Sequence, residues 1–154
     1  MTGRVPDPAG RCVDATAARL VAAAFAAIRD VYVPERHQIA AAVLTGDDRV
    51  HLGVHLDAMV GRAAACAESG ALSAARLATS APPVAIAAVR YPKPTEPALA
   101  RIVPPCGLCR ELLIDHGGPD LQVVVDADGQ GRLVAASGLL VHKYVGTKWT
   151  RTTP

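Results

Sequence analysis

The chain has 154 residues, enough for one domain with its own hydrophobic core. At 51% hydrophobic and 19% charged it is too apolar for disorder, and a net charge of +2 from scattered Lys and Arg gives no nucleic-acid footprint. One Phe, one Trp and three Tyr are too few for a base-stacking platform, and no run of about 18 apolar residues is available to span a bilayer.

Residues 1–13 read as a loose lead-in rich in Pro and Gly, without the basic-then-apolar layout of a secretory leader. A cytoplasmic setting is the expectation, and there four cysteines suit metal or catalytic roles better than disulfides. Asp14 is placed to cap a helix over Ala15 to Val31, which Pro34 closes. Gln38 to Leu44 is a short apolar run. After the turn residues Thr45-Gly46-Asp47-Asp48, the stretch Arg49 to Leu56 alternates, and the pair predicts a hairpin.

Ala63 to Ala78 has helical composition, and Val84 to Val89 reads as a buried strand. Pro92 to Pro105 is a Pro-rich loop. Cys106 to His116 suits a helix stopped by Gly117-Gly118, Leu121 to Val125 a strand, and Asp126-Ala127-Asp128-Gly129 a turn. Ser137 is a candidate cap for a last short helix. This order predicts one α/β domain around a mixed sheet, over residues 14–148, with 149–154 as a tail.

Two segments carry chemistry: Cys66-Ala67-Glu68 and Pro105-Cys106-Gly107-Leu108-Cys109-Arg110. A Cys-x-x-Cys pair at a helix start presents two sulfurs to one metal, and the helix N-terminus favours thiolate. A third sulfur from Cys66 leaves zinc one open position, as in catalytic sites. Glu68, two residues from a ligand, is placed to handle the proton of an activated water.

Ligand-x-Glu followed by Pro-Cys-x-x-Cys is the layout of zinc deaminases. With Cys as the leading ligand, the chain resembles the three-cysteine cytidine deaminases. Ile39 to Thr45 resembles that family's first strand, and Gly53 precedes Cys66 by its usual interval. Glu111-Leu112-Leu113 and Ser137 to Leu140 resemble later helices. The resemblance implies a three-layer α/β/α domain with a mixed five-stranded sheet. It also implies Zn2+ on Cys66, Cys106 and Cys109, and hydrolytic release of ammonia from a cytosine nucleoside or related aminated heterocycle. Glu68 is then the proton shuttle. His37, His55, Asp57, Ala67 and Tyr144 fall at substrate-contacting positions, and a homotetramer is implied, without nucleic-acid or membrane partners.

The substrate end departs from the family pattern. His55-Leu56-Asp57-Ala58 stands where Asn-Val-Glu-Asn usually holds ribose, and His37 where a Phe often stacks on the pyrimidine. Ser69 replaces an Arg that offsets thiolate charge, leaving Arg62 or Arg110 as substitutes. Glu111 stands for Gln, and Val141 to Tyr144 for a Phe-rich tail.

Other readings stay open at this point. Cys106 and Cys109 alone also suit a redox pair, or a structural zinc site with Cys12 as fourth ligand, although Cys12 reads better as a plain thiol. The loss of charge compensation at Ser69 is the one support for an alternative, a zinc protein that binds a nucleoside-like ligand or partner without turnover. His55 and Asp57, two apart on one strand face, also suit an ordinary polar edge.

Overall fold

The computed structural model describes residues 4–6, 12–97 and 99–148, with side chains from Asp14 onward. Two short strands, β1 (Arg4–Pro6) and β2 (Cys12–Asp14), pair antiparallel within what the sequence presents as a loose lead-in. Asp14 then caps α1 (Ala15–Val31), its Oδ1 accepting from the N–H groups of Thr16 at 2.9 Å and Ala17 at 3.3 Å. Ala17, Leu20, Ala24 and Ile28, spaced three or four apart, form the buried face of this helix. Burying Leu20 and Ile28 contributes about 1.5–3 kcal/mol each.

The sheet is built from β3 (Ile39–Thr45), β4 (Val50–Val54), β5 (Pro83–Arg90), β7 (Gln122–Ala127) and β8 (Gln130–Ala135), in the order β4-β3-β5-β7-β8. Only β5 and β7 run parallel along this path; the other pairings are antiparallel, so the sheet is mixed as expected. A two-residue strand, β6 (Arg101–Ile102), adds to the end of β5 from within the segment read as a Pro-rich loop.

Alternation along β3 and β5 divides the core into two layers. Ala40, Ala42, Ala85, Ala87 and Val89 pack with α1, whereas Ala41, Val43, Ile86 and Ala88 pack with α2 (Ala67–Ala78) and α3 (Gly107–Gly117). The result is three layers, α/β/α, with α2 and α3 sharing one face. Alanine-rich central strands let helices approach both sides closely.

Helix α2 begins at Ala67, not at Ala63 as its composition suggests. Gly61–Ala63 form a single 3-10 turn, and Ala65 is held extended by a bridge to Leu56, with N–H to O distances of 3.0 and 2.9 Å. Tertiary pairing overrides alanine's helix propensity there. At the other end, Ala136–Gly138 make a 3-10 turn with Ser137 inside it, where the sequence suggests a capped helix. Among the described residues no helix is long and apolar enough to cross a membrane.

Candidate metal centre and active site

Cys66 is the N-cap of α2 and Cys106 the N-cap of α3, both in extended backbone. Neither side chain caps its own helix, so both thiols are free to turn toward each other. Cys109, in the first turn of α3, is buried at 1% exposure. The three Sγ atoms lie within 4.8 Å of one another, and those of Cys66 and Cys106 are 3.7 Å apart. A tetrahedral ion with Zn–S bonds of about 2.3 Å separates its sulfurs by about 3.8 Å, so the donor set fits zinc.

The electrostatics of the thiols point the same way. Burial opposes ionisation of Cys106, but the N–H of Cys109 and the neighbouring thiols outweigh it and hold Cys106 below the usual thiol range. Burial pushes Cys66 up, with the Cys106 thiol adding to the effect. Cys109 is pushed up strongly by burial, then by the charge of Glu68. A divalent cation among the three sulfurs would favour the thiolate form of each.

Glu68, in the first turn of α2, is 6% exposed. Burial raises its carboxyl above the ordinary range, while its own backbone N–H, the Cys109 thiol and the nearby His55 pull it back. A carboxyl raised in this way holds a proton more readily than an ordinary one, which suits a group that takes and returns protons.

Glycine sets how α2 meets the sheet. A Cβ on Gly53 would lie 2.2 Å from the Ala71 nitrogen and 2.3 Å from the Ala67 oxygen. Opposite it, a Cβ on Gly70 would come within 3.6 Å of the Gly53 Cα. Backbone therefore packs on backbone between β4 and α2, one turn from Cys66 and Glu68. The interval from Gly53 to Cys66 is visible in the sequence; the contact behind it is not.

The remaining sequence-predicted residues lie on irregular segments. His37 follows a tight turn with Glu35 at φ 61°, and its Nδ1 lies 2.9 Å from the backbone oxygen of His55. His55, just beyond β4, donates its N–H to Ile39 O at 2.8 Å, and it is the smallest of the influences that pull the Glu68 carboxyl back down. Asp57 is exposed and accepts from the Ala58 N–H at 2.8 Å. The methyl of Ala67 lies in the core, and Tyr144 is 81% exposed. Trp149 and the rest of the tail fall outside the described residues.

Neither candidate for charge compensation is bonded to the thiols. Arg110 donates to Pro105 O at 2.9 Å and Leu139 O at 3.0 Å, tying the turn before Cys106 to the C-terminal segment. Arg62 is exposed on the 3-10 turn. Ser69 donates to Cys66 O at 2.7 Å and so supports the first turn of α2. One contact escaped the sequence reading. Lys143, only 16% exposed, bonds Glu111 and lies 3.0 Å from Asp115, fastening the C-terminal segment to the helix that carries two of the thiols. A groove of about 650 Å3 along α2 and α3 is lined by Ser69, Leu72, Arg76 and Leu112 among others, but by none of the thiols or Glu68.

No family model matches the chain. The blasticidin-S deaminase of Bacillus cereus is 33% identical over 133 residues, which is 86% of this chain and 91% of that protein. The crystal structure of cytidine deaminase from Burkholderia pseudomallei is 32% identical with a TM-score of 0.62, covering 79% of this chain and 94% of that one. That of cytidine deaminase from Mycobacterium leprae is 27% identical with a TM-score of 0.66, covering 84% and 100%.

Proposed function

The chain belongs to the zinc-dependent cytidine deaminase-like family, and we propose that it hydrolyses a cytosine nucleoside or related aminated heterocycle, releasing ammonia. The observation that carries this reading is the junction of three sulfurs within 4.8 Å with a buried carboxyl two residues along α2. Cys66, Cys106 and Cys109 would hold the zinc. When bound, zinc supplies Lewis acidity, lowering the pKa of water toward neutrality so that a nucleophile is available at physiological pH.

Glu68 performs the proton work. Its carboxylate takes one proton from water as the water oxygen bonds to the amidine carbon and delivers it to the adjacent ring nitrogen; it then takes the second proton, from the new C–OH group, and gives it to the departing amine. The bond from carbon to nitrogen breaks as the carbonyl forms, and ammonia leaves. Burial around Glu68 limits contact with bulk water and raises its proton affinity, which supports a role in proton transfer. His55 lies close enough for its charge to act on that carboxyl. His37, His55 and Asp57 are the residues we assign to substrate contact, with Tyr144 and the main chain of Ala67 in supporting places. The same reading carries the expectation of a cytoplasmic homotetramer acting on small molecules.

Ammonia release across aminopyrimidine, aminopurine and aminotriazine compounds tests this function. Glu68→Gln lowers kcat/KM by about 10²–10⁴-fold while zinc stays stoichiometric. The pH sign follows from the raised carboxyl. An unfolded Glu68 ionises more readily than a folded one, so its burial costs stability increasingly as pH rises above the ordinary carboxylate range. Glu68→Gln removes that cost, and the metal-free protein keeps or gains Tm at neutral pH. Undiminished release by Glu68→Gln would sink the mechanism. Stoichiometric zinc with no release from any compound would leave a ligand-binding protein in its place.

A further inference from the structure

Resting on the reading of Cys66, Cys106 and Cys109 as a zinc site, we propose that Arg110 is a positioning residue. Its side chain fixes the backbone that carries the Cys106 thiol, and Lys143 fastens the C-terminal segment that steadies it. Zinc retention then depends on a part of the chain that supplies no ligand.

The approach to Cys106 is poor in backbone donors. Val103 donates its N–H to Ala88 O at 3.0 Å, but the next two residues, Pro104 and Pro105, have no N–H to give. Pro105 is buried, and its carbonyl accepts from Arg110 Nε at 2.9 Å. The following carbonyl, that of Cys106, accepts from the Arg110 N–H at 3.0 Å. One residue thus holds the peptide planes on both sides of the Cys106 Cα, through its side chain on one side and its main chain on the other. Planar peptides leave only φ and ψ between them. Those two angles, −66° and 169°, set the direction in which the thiol leaves the start of α3.

Arg110 is itself held from beyond the helix. Its Nη1 donates to Leu139 O at 3.0 Å, so one planar guanidinium joins two carbonyls far apart in the chain. Leu139 follows a turn in which Ala136 and Ser137 donate their N–H groups to Leu121 O at 2.8 Å and Pro119 O at 3.0 Å. Four residues on, Lys143 bonds Glu111 and lies 3.0 Å from Asp115, which stand one turn apart on α3. Arg110 reaches from α3 to the segment, and Lys143 reaches back from the segment to α3. Because the guanidinium meets carbonyls and not sulfurs, it supplies direction to the ligand, as outer partners of metal sites do.

Zinc transfer from the loaded protein to an excess of chelator gives a first-order release rate. Arg110→Gln and Arg110→Lys each release zinc about 10-fold faster or more, since lysine keeps the charge but not the fork. Lys143→Met releases it about threefold faster or more, and Lys143→Arg, which still meets both carboxylates, stays within about twofold of the unmutated rate. Ile28→Val, in the core layer under α1, lowers Tm but also stays within about twofold, which separates positioning from general stability. Cobalt in place of zinc gives a second readout. Its visible bands shift or weaken in both Arg110 variants and overlay the unmutated spectrum in Lys143→Arg and Ile28→Val. An unmutated release rate in Arg110→Lys, equal acceleration by Ile28→Val, or no acceleration by Lys143→Met would each overturn the proposal. Should neither Arg110 variant fold, the two Lys143 variants decide it. Unmutated protein that takes up no zinc overturns the metal-site reading and the proposal together, whereas loaded protein with unaltered release in the variants overturns the proposal alone.

Discussion

Cys66, Glu68, Cys106 and Cys109 stand on the first turns of two helices, whereas His37, His55, Asp57 and Tyr144 stand on turns, strand ends and the C-terminal segment. The helix starts inherit their geometry from regular hydrogen bonding and from a core packed on both sides of the sheet. The second group inherits its geometry from single contacts, such as the one between His37 and His55. On the proposed reading, bond-making chemistry rests on the two helix starts and the choice of substrate on irregular segments.

The sharpest way to break that contrast is to remove a ligand. Cys109→Ser takes away the buried sulfur, and zinc measured on the purified protein should drop well below stoichiometric, with ammonia release lost alongside. Retention of one tight zinc per chain would move the metal elsewhere. Gly53→Ala comes next. Its methyl would meet the Ala67 oxygen and Ala71 nitrogen at under 3 Å, so α2 must shift from the sheet, costing about 1–3 kcal/mol in denaturant unfolding. Zinc affinity should weaken with it, although no ligand changes; an unaltered unfolding midpoint would mean that the close packing does not position the site. The smallest effect belongs to the second group. Asp57→Asn is an exposed change, expected to leave stability within about 0.5 kcal/mol and zinc stoichiometric while KM changes. A fall in zinc content would erase the distinction between the two regions.

Much of this division is legible in the sequence. The capped helix at Asp14, the alternating strands and the paired cysteine motifs are local patterns, and each appears where its pattern lies. The spacing from Cys66 to Glu68 and from Cys106 to Cys109 is also local, so the centre can be assembled on paper. What was hidden depends on partners far apart in the chain. The start of α2 is decided by Ala65 pairing with Leu56, against the preference of an alanine run. A two-residue strand such as β6 has no periodicity to detect. Lys143 meets Glu111 and Asp115 only after the sheet has brought the C-terminal segment back to α3. His37, His55 and Asp57 are identifiable in the sequence as positions, but the contact of His37 Nδ1 with a backbone oxygen of another segment is not.

The bridge between Leu56 and Ala65 has a consequence for how such a protein diverges. It closes the stretch from 57 to 64 at its base, like a drawstring, immediately before Cys66. Asp57, Met59 and Val60 inside that stretch are exposed, so they can be exchanged without burying or uncovering core. On the proposed reading, exchanges in this one short interval alter recognition, while the thiol beyond the knot keeps its address.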